Sequence, residues 1–342
     1  MLPDTEIVQL QRDLGAWFRM AKRDLPWRRT RDPYPIWVSE TMLQQTRVTA
    51  VLPYYERFLT RFPDIAALAT APETDVLAAW AGLGYYYRAR NMQQAARLMH
   101  EAGGFPQRHA EIRTLPGVGD YTAAAVASIA FGLPHAVVDG NVLRVISRIC
   151  GDSTVINTTQ GRRHFAAQAD QLLDRTQPGE FNQAAMELGA TICSPKNPQC
   201  LVCPVSSLCR ARASGRQHAF PVKLPKRKTV RQQRTVYWIE RNECVLAWQR
   251  PKDSSLMPGF WELPEQDQLG PLVQTRQMGS FRHGITFHSY EFQVVEAAPP
   301  EELRSCEWLA FKDLGRVPVS TIFKKSWRVA EQHRPTKNGS LH

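Results

Sequence analysis

Leu115-Pro116-Gly117-Val118-Gly119-Asp120-Tyr121 runs straight into the small-residue stretch Thr122 to Phe131. A polar segment precedes it, and both flanks read as helices. Two glycines in a tight turn at a helix N-terminus leave backbone N–H groups uncovered and let a phosphate approach without a side-chain clash. Such contacts grip a nucleic-acid backbone without reading its sequence. An ordinary interhelical turn would use much the same residues.

Outward from this turn the chain continues helical. Ile7, Leu10, Leu14, Trp17, Phe18 and Ala21 fall on one helical face. Val76 to Trp80, then Met92, Ala95, Ala96 and Met99, repeat the pattern, with Gly103-Gly104 as a stop. Val142, Val145, Ile146 and Ile149 form another stripe, with Asn141 in the place of an N-cap. Strand-like alternation begins only after residue 230. There Val236 to Ile239 and Cys244 to Trp248 flank the polar Arg241-Asn242-Glu243, which predicts a hairpin. Phe287 to Val295 and Cys306 to Leu309 read as further strands. Between these halves Arg210, Arg212, Arg216, Lys223, Lys226, Arg227, Lys228, Arg231 and Arg234 meet no acid, and Pro221 and Pro225 prevent a continuous helix. The expected organisation is a mainly helical domain over 1–212, a basic linker over 213–231 and a smaller α/β domain over 232–342. The linker reads either as a strap along phosphates or as a solvated tether.

The chain has 342 residues, 43% of them hydrophobic and 22% charged. At roughly 150 residues per domain this suits two cored domains and excludes a disordered chain or a minimal disulfide scaffold. The longest nearly apolar run, Ala123 to Leu133, is too short for a membrane span. Asp4, Glu6 and Asp13 interrupt the N-terminal segment, which carries no secretory pattern, so a cytoplasmic location is expected. The net charge of +11 favours a polyanionic partner, nucleic acid first, although a merely basic soluble protein fits it equally.

Four of the seven cysteines, Cys193, Cys200, Cys203 and Cys209, follow the spacing C-x6-C-x2-C-x5-C. Four thiolates on short loops hold either zinc or a [4Fe–4S] cube. One C-x2-C knuckle with unequal neighbouring spacings favours the cube. Cys150, Cys244 and Cys306 stand apart and read as buried thiols. Lys196, Arg210 and Arg212 place charge where the cysteine loop would meet phosphate, while a redox role suits the same ligands. Two carboxylates complete the candidates. Asp139, in Val138-Asp139-Gly140-Asn141, sits near a helix N-terminus whose dipole favours its ionised form, and reads equally as a turn or capping acid. Glu40, in Trp37-Val38-Ser39-Glu40-Thr41-Met42-Leu43, has apolar neighbours that raise its pKa and keep it protonated near neutrality. It also reads as an early-turn helix acid after a Ser39 cap.

Taken together, Glu40-x-Met42-Leu43-Gln44-Gln45-Thr46, Gly82-Leu83-Gly84-Tyr85-Tyr86, the Leu115–Gly119 turn, Val138 to Asn141 and the four cysteines resemble adenine DNA glycosylases of the MutY type. These belong to the helix–hairpin–helix superfamily that includes endonuclease III. The resemblance implies a helix–hairpin–helix glycosylase domain with a [4Fe–4S] loop, followed by a Nudix-like domain that recognises the opposite base. It implies a monomeric base-excision enzyme acting on double-stranded DNA that carries an adenine mispair. Glu40 would protonate the extruded adenine at N7 and Asp139 would stabilise the cationic sugar, with Tyr121 and Asn141 positioning them. Arg23, Trp27 and Gln183 match pocket positions. Gln45, Thr46 and Tyr85 match residues around the opposite base, and Gly117, Val118 and Gly119 match the phosphate grip.

Tyr121 stands where strand-cleaving relatives carry a lysine, so base release without lyase activity is expected. Met257 to Pro264 resembles the Nudix loop, but no acid-rich magnesium helix follows, so no Nudix hydrolysis is expected. Where the family often has Phe-Ser-His, this chain has Ile285-Thr286-Phe287, with His288 displaced by one. A narrower preference for 8-oxoguanine over guanine is therefore expected. Asp120 replaces the usual arginine. A thymine or uracil mismatch glycosylase is disfavoured by Gln183 and the Nudix-like part. A non-catalytic iron–sulfur DNA sensor is disfavoured by Glu40 with Asp139.

Overall fold

In a computed structural model the described residues are 2–225, 230–254, 257–269, 271–285, 288–300, 305–315 and 317–333. Helices come first: α1 (Asp4–Ala21), α2 (Pro33–Leu43), α3 (Val48–Arg61), α4 (Ile65–Thr70), α5 (Glu73–Trp80), α6 (Tyr87–Glu101), α7 (His109–Ile112), α8 (Asp120–Phe131), α9 (Gly140–Cys150), α10 (Thr159–Leu172), α11 (Pro178–Thr191) and α12 (Arg210–Ala213). Strands follow: β1 (Val230–Trp238), β2 (Glu240–Arg241), β3 (Cys244–Gln249), β4 (Trp261–Glu262), β5 (Gln274–Ile285), β6 (His288–Ala297) and β7 (Cys306–Ala310), then α13 (Thr321–Glu331). Among the described residues no helix is long and apolar enough to cross a membrane.

Two compact units result. One comprises Met1–Ala69 with Gln94–Pro225, the other Thr70–Gln93 with Lys226–His342. The linear boundary expected at 212 does not coincide with this division, because Thr70–Gln93 groups with the C-terminal residues. Tyr86 packs against Phe260 with ring centroids 4.0 Å apart, and Arg90 donates to the Pro258 carbonyl at 2.5 Å.

In the first unit the expected stripes are buried: Leu10, Leu14 and Phe18 of α1 meet Val142, Val145, Ile146 and Ile149 of α9 in one core with Phe165, Phe181 and Leu188. The start of α9 corrects the sequence reading. Asp139, not Asn141, is its N-cap, accepting from Val142 N at 2.7 Å. Both residue types cap well, so spacing alone does not choose between them. The expected linker is also corrected in part. Ile156 N donates to Val222 O at 3.0 Å and Leu224 N to Asn157 Oδ1 at 2.8 Å, so this stretch is docked rather than a tether. Lys226, Arg227 and Lys228 lie outside the described residues.

In the second unit, β1 pairs in parallel with β6, which pairs antiparallel with β5. A second sheet has β3 bonded to β2, β4 and β7. The expected hairpin shrinks to Glu240–Arg241 against Cys244–Val245, turning at Asn242 and Glu243, both with positive φ. Most of the stretch ending at Ile239 belongs instead to β1 in the other sheet. Val236, Trp238, Val245, Ala247, Phe292 and Val294 share the core, covered by Ile322 and Phe323 of α13.

Candidate active site

Helix α2 begins on a proline after Asp32, whose side chain accepts from Tyr34 N, and it is buried from Ile36 to Met42. Glu40 therefore sits among Trp37, Val38, Thr41 and Met42. Burial pushes its pKa up from the ordinary range to about 7, helped by Asp139 and opposed by Tyr121 and Arg28. Tyr121, in the first turn of α8, donates its phenol to Glu40 Oε2 at 2.6 Å and also lies 3.5 Å from Met186 Sδ. Burial and the two nearby acids hold that phenol well above its usual pKa, so it acts as a neutral donor.

Asp139 accepts twice, from Val142 N and from Asn141 Nδ2 at 2.9 Å. Burial raises its pKa more than these bonds and Arg144 lower it. The hydrogen bonds at the helix N-terminus thus offset only part of the desolvation of this carboxyl. Asn141 is fixed from behind by Arg144, whose Nη2 donates to Asn141 Oδ1 at 2.9 Å and to Gly189 O at 2.7 Å. Glycine is required at 189, since a Cβ there would fall 2.6 Å from Asn141 Cβ. Its absence lets α11 press against α9.

Glu40, Tyr121, Asp139 and Asn141 line one pocket of about 470 Å³ with Arg23, Trp27, Thr46 and Gln183. That volume suits a small ligand such as a nucleobase. Gln183 donates to Gly179 O at 3.2 Å. Sequence reasoning missed Arg28, Met186 and Glu187, which share the wall. Burial would raise the Glu187 pKa, but Arg23 and Arg28 overcome it and hold it at about 2. The Arg23 fork is bidentate, with Nε and Nη2 each 2.7 Å from a Glu187 oxygen, and Arg28 adds a bond at 2.8 Å. The available signal was spacing, since Glu187 lies one turn beyond Gln183 on the same face of α11.

Other expected residues lie elsewhere. Gln45 is outside the pocket lining and has φ +59°, while Tyr85, in the second unit, has φ +48°. His288 opens β6 opposite Ile285 and stacks on Tyr290 at 5.8 Å. Thr286 and Phe287 lie outside the described residues. In the 115–119 turn, Gly117 has φ +76°, a conformation that side chains resist, and Gly119 heads α8 with no side-chain cap on the first N–H groups. Val118 is buried between them. Exposed Asp120 pairs with Arg113.

Cys193, Cys200, Cys203 and Cys209 line a common cavity that contains no carboxylate or imidazole. Among the described residues no three ligating groups stand close enough to hold a metal ion, so the structure shows four gathered thiols rather than a closed ligand set. Burial raises the Cys203 thiol to about 11, and neighbouring cysteines add to the shift. Arg148 lies at the wall of the same cavity: its Nη1 is 3.3 Å from Cys193 Sγ, and it also donates to the Ser194 and Pro195 carbonyls. An all-sulfur donor set backed by a guanidinium fits an iron–sulfur cluster. Cys150 and Cys306 are buried as expected, and Cys244 is half-buried.

Residues 38–169 match the model of the HhH-GPD superfamily of base excision DNA repair proteins. The chain is 35% identical to the adenine DNA glycosylase of Mus musculus over 98% of this chain and 80% of that relative. It is 35% identical to that of Homo sapiens over 96% and 75%. It belongs to the adenine DNA glycosylase family. That likeness runs through the second unit as well as the first. A thermostable thymine-DNA glycosylase superposes with a TM-score of 0.57 at 30% identity, over 62% of this chain and 98% of that one. A non-covalent endonuclease III–DNA complex gives 0.54 at 23% identity, over 63% and 99%, a likeness of fold. The two structures thus share the helical architecture, whereas the adenine DNA glycosylases share nearly the whole chain.

Proposed function

We propose that this chain is a monofunctional glycosylase that hydrolyses the N-glycosidic bond of adenine mispaired with 8-oxoguanine or guanine in duplex DNA. The observation that carries this is the pair of buried carboxyls in one pocket: Glu40 is poised near pH 7 by burial, and Asp139 is anchored by two donated hydrogen bonds. An adenine extruded from the stack enters the pocket. Neutral Glu40 gives its proton to N7, so the C1′–N9 bonding pair can leave with the base. Ionised Asp139 offsets the positive charge left on the sugar, the two-carboxylate logic of glycoside cleavage. Glu40, now anionic, accepts the proton of the attacking water. Tyr121 orients Glu40, and Asn141 orients Asp139. Gln183 and the ion-paired wall of Arg23, Arg28 and Glu187 present polar groups to the edge of the base, and Trp27 presents a ring.

The deciding experiment offers purified protein five duplexes: adenine opposite 8-oxoguanine, guanine, cytosine or thymine, and thymine opposite guanine. Release from the first two only is expected; release of thymine from a guanine mispair instead would replace this reading. No strand scission should accompany release, since a phenol cannot form a Schiff base. Borohydride reduction during turnover should trap no complex at the level of a lysine-bearing lyase, and abundant trapping would contradict the assignment of Tyr121.

The four thiolates would hold one [4Fe–4S] cluster, which when bound would tie the 193–209 loop into a fixed shape and support its basic residues against phosphate. Protein purified under nitrogen should absorb broadly near 400 nm and carry about four irons per chain. Stoichiometric zinc without iron would overturn this. Cys200→Ser should lower cluster content and duplex affinity before it slows chemistry. The partner is double-stranded DNA, with the 115–119 turn on its backbone. The opposite base falls to Gln45, Thr46, Tyr85 and the Nudix-like second unit, including Thr286, Phe287 and His288.

A further inference from the structure

The turn Gly82 to Tyr87 displays two tyrosine rings to solvent. Tyr85 is 44% and Tyr87 56% exposed, and every other described phenylalanine, tyrosine and tryptophan is buried or half-buried. The two rings meet edge to face, with centroids 6.3 Å apart and planes at 85°. The backbone that displays them is unusual. Gly82, Gly84 and Tyr85 all have positive φ, at 115°, 69° and 48°. A tyrosine in that region is strained and persists only where its surroundings dictate it, a circumstance that concentrates at functional positions.

The surroundings are specific. Buried Arg88 donates from Nη2 to the carbonyls of Leu83 and Gly84, both at 3.1 Å. Its guanidinium lies 5.3 Å from the Trp80 ring and 5.5 Å from the Tyr85 ring, so one buried cation ties the carbonyls to both rings. Trp80 Nε1 also donates to Gly84 O, and Gly82 N to the Tyr86 hydroxyl. Tyr86 is in turn packed on Phe260. The display is therefore built, and it points outward.

We propose that Tyr87 is a second DNA-stacking ring, forming with Tyr85 a two-ring platform for an unpaired base, and that Arg88 is the positioning residue that holds the platform. The inference rests on the proposed function and deepens it. Aromatic faces accept any base, so the platform would grip a disrupted duplex without reading sequence. Crossed planes let one ring take a base face while the other braces it from the side.

The test uses the full chain and an adenine·guanine duplex whose target sugar carries a 2′-fluorine that resists cleavage, with 2-aminopurine beside the mispair. Tyr87→Ala should weaken binding about tenfold, within the range for losing one stacked base, and should lose much of the fluorescence change on binding. Tyr87→Phe should keep both. The salt dependence of affinity should not change, because stacking releases no counterions. Wild-type affinity and fluorescence in Tyr87→Ala would overturn the platform, as would a shallower salt slope or equal losses in Tyr87→Phe. Wild-type protein that released no adenine from ordinary mispairs would overturn the proposed function and the platform with it. Adenine release together with an inert Tyr87→Ala would overturn the platform alone.

Discussion

Glu40→Gln should release adenine about 10²–10⁴-fold more slowly in a single turnover, while duplex affinity stays close to that of the unaltered protein. The amide keeps the volume of the side chain and can still accept the Tyr121 phenol, so the pocket should survive. What it lacks is a proton to give. The wild-type rate should fall as pH rises through about 7, where Glu40 ionises, and this alkaline limb should be missing in the variant. A second readout has the opposite sign. A carboxyl whose pKa is higher folded than unfolded favours folding while protonated, and that advantage is lost as pH rises through the folded pKa. Above pH 7 the buried anion opposes folding, so Glu40→Gln should be the more stable protein, by up to about 3 kcal/mol. A variant both slower and more stable in alkaline buffer separates a catalytic role from a structural one. Wild-type excision by Glu40→Gln would remove Glu40 from the mechanism.

Asp139→Asn should lose about 10²–10³-fold or more, the scale set by removing one preorganised electrostatic contact to a developing charge. Asparagine caps a helix about as well as aspartate, and its amide oxygen can still accept from Val142 N, so α9 should hold with little change in Tm. The loss should therefore appear in the chemical step rather than in binding. Since burial raises the Asp139 pKa, protonation of this residue should supply the acid limb of the wild-type rate profile. Rate lost together with helix content and binding would assign Asp139 to capping alone.

The two carboxyls proposed as catalytic were legible as candidates from their local contexts, and their roles followed from the family resemblance. Glu40 has Trp37 and Val38 before it and Met42 and Leu43 after it, an apolar setting that predicts a raised pKa. Asp139 was legible as a residue but not in its bond, since Asp139 and Asn141 compete for one cap. The ion pairs of Glu187 were illegible: spacing from Gln183 could place it on the pocket face, but a helical glutamate carries no mark of two arginines that arrive more than 150 residues earlier in the chain. Strand β5 escaped notice because Met278 is its buried position in a run of polar residues. The hairpin was misplaced because Val236 to Trp238 and Cys244 to Trp248 are both good strands, and alternation does not say which strands pair. The grouping of Thr70–Gln93 with the C-terminal residues depends on contacts such as Arg90 with Pro258, 168 residues apart. No local pattern announces such a contact.

That grouping means the chain passes between its two units three times, after Ala69, after Gln93 and after Pro225. A ribosome delivers Thr70–Gln93 long before the residues it packs against, because synthesis presents N-terminal segments first. Until Phe260 is made, the Tyr86 ring, only 3% exposed in the finished protein, lacks that packing partner. A nascent chain at that stage carries a tyrosine face and an Arg90 guanidinium waiting for the loop around Pro258. A single cut after Pro225 would part Tyr86 from Phe260 and Arg90 from the Pro258 carbonyl. Exchanging the C-terminal part between relatives would have to supply a loop that again fits Tyr86 and Arg90.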